Sequence, residues 1–507
     1  MFDRLARSLG LSAVPQIFFI AAALAVLFVA FAIPFSKPFA DFFGALGTFT
    51  FAYFGWFYVL SVTGLLVFLI WIAMSRHGHL RLGPDDQPPE YTTLTWFTML
   101  FAAGIGTILM FWGVAEPLSH FVNPPFVDVE PQSRESAKVA MNIALYHFGL
   151  HTWTIFTLPA LAIGYFSYRK GLPMRISSVF YGLLGERIYG PIGWAIDIVA
   201  LLGTLFGVAV SVGLGTLQLN SGLAYLFGLP VSVASQIIIV ALITIVATVS
   251  VALGLDRGIK RLSYINIVLA MALLVFVWVV GPTLFITSGA VQNLGMYIQN
   301  LPWMSLWTEA YQGTSWQQSW TVFYWAWTIS WAPYVGIFIA RISKGRTIRQ
   351  LVLGALGAPF LFTLIWFSVF GLSAIDLELN RAVDLSTQVK ADVSVALFSF
   401  LEQFPLATFT SVASVVIIII FLTTSGDSAA LVMDLLSRRE NQPSRIWQRI
   451  FWMLLLGFLS GTLLLGGGLG ALQNVITALG FPFCVLLVFM AMALVKALNS
   501  EETGAVR

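Results

Sequence analysis

The sequence predicts an all-α polytopic membrane protein, and three observations carry that expectation. Of its 507 residues, 58% are hydrophobic and only 10% are charged, with a mean hydropathy of +0.88, whereas soluble domains carry about 25% charged residues. Apolar runs of roughly 20 residues, long enough to cross a hydrocarbon layer of ~30 Å, recur through the whole chain. Basic residues segregate between alternate connections, as in helical membrane proteins. Short segments of regularly alternating polarity, which build membrane barrels, do not occur in the sequence.

The apolar runs place twelve spans, at 15–34, 54–75, 92–115, 138–168, 192–225, 231–253, 262–287, 317–341, 348–374, 396–425, 447–466 and 471–497. The first follows Arg4 and Arg7 and reads as a span, because no small-residue cleavage site follows it. With this count, 21 of the 26 Lys and Arg residues fall on one side, together with both termini. That side is the cytoplasm of a cell (inner) membrane. The other holds Lys37, Arg134, Lys138, Arg381 and Lys390 among acids such as Asp128, Asp376 and Asp384. A miscounted helix would scramble the asymmetry. Residues 291–314 mix Trp303, Leu306, Trp307 and Tyr311 with polar residues and suit an outer interfacial helix.

No P-loop, HExxH, CxxC or GxSxG pattern is present, so ATP drive and hydrolase chemistry lack a motif and the chain is not expected to be an enzyme. The single Cys484 excludes an internal disulfide framework and a cysteine metal site. Nothing in the sequence suggests a nucleic-acid partner or an organic cofactor.

The eighth span carries Trp320, Trp325, Trp327 and Trp331, with Ser330 and Pro333 where an unbroken membrane helix disfavours them. Proline there frees a carbonyl near Ile329, which is tolerated only inside protein or beside water. Two readings are open: a broken, ring-lined helix, or an aromatic helix packed on its neighbours. The third span holds Gly104, Gly106 and Gly113, which either allow close packing or unwind the helix. Interruptions in spans three and eight would begin two five-span repeats, 92–290 and 315–497. Two additional helices (15–91) would precede them, flanked by short termini, 1–14 and 498–507.

The tenth span ends with Thr423, Thr424, Ser425, Asp427 and Ser428. These either supply hard oxygen ligands for a small cation or cap a helix restarting at Ala429. His147 and His151 stand at i and i+4 in the fourth span, without a carboxylate or cysteine nearby in sequence, and read as hydrogen-bonding groups between helices. Glu116 and Asp197 are acids near membrane depth, where an ionisable group is a functional candidate unless the interface explains it.

The segments AAGIGTILMFWGVAEP, HFGLHTW, LFGVAVSVGLGTLQL, FYWAWTISWAPYVGIFIARISKGRTIR and TTSGDSAALVMDLLSR, in that order, resemble the betaine/choline/carnitine transporter family. The resemblance implies two extra helices before a leucine-transporter-like five-plus-five inverted repeat, alternating access, a homotrimer in membrane lipid, and uptake of small trimethylammonium solutes. Quaternary ammonium has no N–H to donate and is best held by ring faces. The family's aromatic box corresponds here to Phe148, Trp153, Phe156, Trp327, Thr328 and Trp331, with Trp325 in the same stretch. Phe148 and Phe156 keep a ring without its polar handle, and Thr328 replaces a ring with a hydroxyl. A bulkier, differently methylated or hydroxylated solute therefore fits the pattern.

The family's sodium site corresponds to Ala102, Ile105, Phe421, Thr424 and Ser425. A second sodium-related place keeps Thr204 but has Val208 and Tyr334 where the family has Thr and Phe. Proton-coupled choline carriers place an Asp where this chain has Ile108. Sodium is therefore the expected coupling ion. The rival readings are sodium-independent exchange, a non-quaternary osmolyte in the same fold, and a membrane solute sensor that does not transport.

Overall fold

Residues 2–104, 106–253, 256–439 and 442–505 are described by the computed structural model, and among them ten helices are long and apolar enough to cross a membrane. The chain begins its membrane course with α1 (Pro15–Ala32) and α2 (Ser36–Met74). The 39 residues of α2 make a rod of about 58 Å, so it begins well before the expected boundary at 54. Two expected spans are divided. The third is α3 (Thr93–Gly104) followed by α4 (Thr107–Val122), and the fourth is α5 (Arg134–Phe148) followed by α6 (Leu150–Gly164). Then come α7 (Pro191–Phe227), α8 (Val233–Leu253), α9 (Asp256–Val280) and α10 (Thr283–Met304). The last third holds α11 (Phe323–Ile342), α12 (Ile348–Arg381), α13 (Ala407–Ser437), α14 (Ile446–Leu465) and α15 (Gly468–Ala505). The helix expected over 291–314 thus begins at Thr283.

The membrane windows containing α7 and α11 are each 83% buried, against 28% for that of α9, so α7 and α11 form the centre and α9 lies outside. Around that centre, α11 packs on α6, α7 and α15, while α13 packs on α7 and α12 covers α4 to α6.

Connections expected on one side do meet at one end. Leu82 N donates to Arg346 O at 2.8 Å, and Arg81 Nη1 donates to Gly345 O at 2.9 Å. Arg169 pairs with Asp85 at 2.6 Å, and its hydrogen bond and charge hold that carboxyl below the ordinary aspartate range. Ser12 N donates to Gln448 Oε1 at 2.9 Å, bringing the N-terminal segment onto the first turn of α14. At the opposite end Gln132 meets Ser386 at 3.4 Å, and Phe126 packs on Trp307.

Three local expectations change. Span eight is not broken at Ser330–Pro333: α11 runs through Pro333, and Ser330 Oγ donates to Ala326 O at 2.9 Å within the helix. The irregularity lies earlier, in a π turn over Gln318–Val322. Span ten is displaced toward the C-terminus, since α13 continues to Ser437 without restarting at Ala429. Its hydroxyls turn back on their own helix, as Thr424 Oγ1 does on Ile420 O at 2.8 Å. Asp427 pairs with Arg449 of α14 at 3.3 Å. Finally, His147 and His151 do not share a helical face, because the chain breaks between them at Gly149.

Candidate functional site

The two divided spans and the two central helices enclose a cavity of about 420 Å³. On α11 the residues that reach it recur every three or four positions, Tyr324, Trp327, Thr328, Trp331 and Tyr334, as one helical face requires. Trp325 falls off that face and does not line the cavity. It is fully buried, with its ring stacked on His151 at 5.2 Å.

Phe148 stands at the end of α5, and Trp153 and Phe156 occupy the first turns of α6, so the break at Gly149 aims all three into the cavity. A Cβ at Gly149 would lie 2.3 Å from Leu145 O and 2.9 Å from the Tyr297 hydroxyl. That hydroxyl accepts from Leu150 N at 3.1 Å, satisfying one of the amides that the break exposes. Thr152 Oγ1 donates to His147 O at 2.5 Å across the same break.

Ring packing fixes the walls. Trp153 meets Phe156 edge-on at 5.5 Å, Phe148 meets Tyr324 at 4.9 Å, and Trp331 meets Tyr334 at 5.3 Å. Trp327 is anchored further, since its indole N–H lies 3.1 Å from both Gly207 O and Ser211 Oγ on α7. The indole nitrogen of Trp331 is buried with no hydrogen-bond partner among the described residues. Close approach of α7 here depends on Gly207, where a Cβ would stand 2.9 Å from the Trp331 ring. Thr328 lines the cavity too, but its hydroxyl donates to Tyr324 O at 2.7 Å.

The hydroxyl-rich segment of α13 faces the same space through Phe421, Thr424, Ser425 and Ser428. From the divided third span, Gly106 and Ile108 reach it. Gly106 is fully extended, at φ −152° and ψ −179°, so the glycine stretch interrupts the helix there. Gly113 instead serves close packing, with a Cβ there falling 2.6 Å from Trp366 Nε1. Ile105 lies outside the described residues, as does the side chain of Ala102. Thr204 does not reach the cavity: buried in α7, it donates to Ala200 O at 2.9 Å. Arg341 is the charged residue of the described lining, which contains no Asp or Glu.

Sequence reasoning passed over Tyr324, although its position three residues before Trp327 marks the same face. It left Glu116 open between a functional acid and an interface residue. Glu116 is fully buried, 2.6 Å from His147 Nδ1, and His147 Nε2 lies 2.9 Å from Thr321 Oγ1 in the π turn. No sequence spacing joins these three. Asp197, the other membrane-depth acid, accepts from Ser177 N and Oγ, each at 2.8 Å.

Comparison with known proteins places the chain among transporters rather than enzymes. Residues 16–503 match the betaine/carnitine/choline transporter family. The ectoine/glycine betaine/proline transporter EctP of Corynebacterium glutamicum is 43% identical over 98% of this chain and 82% of its own length. A glycine betaine transporter of Acinetobacter baylyi is 44% identical over 89% of this chain and 68% of its own. The high-affinity choline transport protein of Escherichia coli is 40% identical over 96% and 72%. With its multi-pass helical fold, this chain belongs to the betaine/carnitine/choline transporter family.

Proposed function

We propose that the chain imports compact methylated solutes, glycine betaine and choline among them, by sodium symport with alternating access. The observation that carries this reading is the ring-lined cavity without a carboxylate in its described lining. An onium group there is attracted by the faces of Trp153, Trp327 and Trp331, each contact worth ~0.5–2 kcal/mol.

Relatives named for glycine betaine and choline support the solute class. A second reading, a non-quaternary osmolyte, draws on the relative also named for ectoine and proline, and on Thr328, which leaves room where a ring would stand. For coupling, Thr424 and Ser425 bring hydroxyl oxygens to the cavity, the chemistry that a small hard cation selects, and backbone near Ala102 and Ile105 would complete a sodium site. Of the second sodium-related place, Tyr334 lines the cavity, while Thr204 is buried in α7 with its hydroxyl on Ala200 O. Sodium-independent exchange is the alternative.

The twelve-span reading counts each divided pair as one crossing. Two helices then precede an inverted five-plus-five repeat over 92–290 and 315–497, in a homotrimer of the cell (inner) membrane with cytoplasmic termini. Meeting of the basic connections at one end supports that orientation. With Arg341 among the lining residues, the conformation corresponds to an inward-facing carrier.

A thermal-shift screen of purified protein against glycine betaine, choline, carnitine, ectoine, proline and sulfonium compounds tests the reading. Ligand at a hundredfold excess over its Kd stabilises by about 2.7 kcal/mol. Protection by onium solutes, enhanced by sodium and not potassium, is expected. Absence of protection by every solute would overturn it.

A further inference from the structure

At the Tyr324 end of the cavity, opposite Arg341, three elements meet around buried polar groups that solute recognition does not use. Glu116 and His120 come from α4, His147 from α5 and Thr321 from the π turn before α11, and all four are 0% exposed. Glu116 Oε1 lies 2.6 Å from His147 Nδ1 and 3.3 Å from His120 Nε2. Glu116 Oε2 and His120 Nδ1 have no hydrogen-bond partner among the described residues. Rings wall the group in: His120 packs on Trp320 at 4.4 Å, His147 on Trp316 at 5.8 Å and on Tyr324 at 5.1 Å.

The titratable groups that act on the carboxyl group are the imidazoles and the Tyr324 phenol. On α5 and α6 the other titratable groups are Tyr146 and His151, the latter stacked on Trp325. Tyr324 stands on α11, and Tyr297 of α10 is engaged with Leu150 N. Glu309 is spent on Trp316 N and Gln317 N. Asp376 of α12 bonds Asn380 and Arg381, and Glu378 bonds Ser386. No Lys or Arg is paired with Glu116 among the described residues. Enclosed in this way, a bare carboxylate is strongly unfavourable unless a proton accompanies it. A 2.6 Å separation suits a charge-assisted hydrogen bond, the contact that a proton held between Glu116 and His147 would make. With the proton held by either partner, His147 Nε2 carries a hydrogen that it donates to the Thr321 hydroxyl, and once the proton has left, the bare Nε2 accepts from that hydroxyl, so the ring is satisfied in both states.

We propose that Glu116 and His147 form a proton-binding site of the carrier, which holds one proton while the Tyr324 end of the cavity is shut and exchanges it with water when that end opens. The proposal rests on the carrier reading above. Opening this end must separate α4, α5 and the π turn, and hence break the bond that confines the proton. In water near pH 7.5 glutamate is ionised and histidine neutral, so the opened pair has lost the proton. Near pH 5.5 histidine keeps it. Solute binding, by biasing the open and shut populations, is then linked to proton exchange at neutral pH and much less at acid pH, and the two groups titrate as a pair. The Thr424 and Ser425 hydroxyls, on α13, take no part in holding this proton.

The experiment is calorimetric titration of glycine betaine into the full chain, at constant saturating sodium, in two buffers of different ionisation heat. Wild type is expected to exchange up to about one proton per solute bound near pH 7.5, changing Kd by up to about tenfold per pH unit, with the exchange shrinking toward zero near pH 5.5. Glu116→Gln should bind solute with no proton exchange near pH 7.5. Binding by wild type with no buffer-dependent heat at any pH would overturn the proposal, and needs no variant to show it. Undiminished exchange in Glu116→Gln would overturn it too. Absence of any binding heat, with no thermal protection by solutes, would remove the carrier reading and the proposal with it.

Discussion

Replacing Trp331 by Leu separates cation recognition from apolar packing. Trp331 gives the cavity one ring face, meets Tyr334 edge-on at 5.3 Å, and holds no hydrogen bond that the fold needs. Trp327, by contrast, is tied to Gly207 and Ser211, so its loss would mix binding with stability. Removing one cation–π contact costs about 0.5–2 kcal/mol, which weakens Kd by about two- to thirtyfold at 1.4 kcal/mol per decade. The informative comparison uses choline and its uncharged carbon isostere, 3,3-dimethylbutanol, in calorimetric titrations of wild type, Trp331→Leu and Trp331→Phe. Choline should lose affinity within that range in the Leu variant and less in the Phe variant, while the isostere changes little. Equal losses for both ligands would refute ring-face recognition at this position and leave only packing.

Other substitutions test the remaining parts. Thr424→Ala with Ser425→Ala should raise the sodium concentration needed for half-maximal uptake sharply; uptake indifferent to replacing sodium by potassium in wild type would favour exchange instead. Thr328→Trp should narrow the solute range toward trimethylammonium compounds, and an unchanged competition profile would show that this position does not contact the solute. Gly149→Ala should destabilise the fold by about 1–3 kcal/mol, because its Cβ meets the Leu145 carbonyl, whereas Gly357→Ala, with open space around it, should not. The Asp85–Arg169 pair contributes stability above the ordinary aspartate pKa and loses it as pH falls through the lowered one; solvent screens it, so Asp85→Asn should scarcely move the unfolding temperature at pH 7.

The helical membrane fold was legible because hydropathy and loop charge are properties of long stretches, insensitive to a few residues. For the glycines of the third span the sequence left two readings open, and both hold, unwinding at Gly106 and close packing at Gly113. The break at Gly149 was not legible: it depends on a hydroxyl from Tyr297, 148 positions later, that receives the freed amide. Pro333 misled for the converse reason, as α11 absorbs it within a buried helix while the irregularity falls on the π turn before Phe323. Ring residues of the site followed from the family resemblance, whereas periodicity on α11 explains why Trp325, two positions from Trp327, points elsewhere. Glu116, His147 and Thr321 come from three separate elements, and only folding brings them together.

Uptake of labelled glycine betaine into proteoliposomes, under an inward sodium gradient and in its absence, tests the central claim most directly. The account predicts accumulation above equilibrium that depends on the gradient, falls with Trp331→Leu and is competed by choline. Binding without accumulation under any ion gradient, or accumulation that Trp331→Leu leaves at the wild-type level, would contradict it.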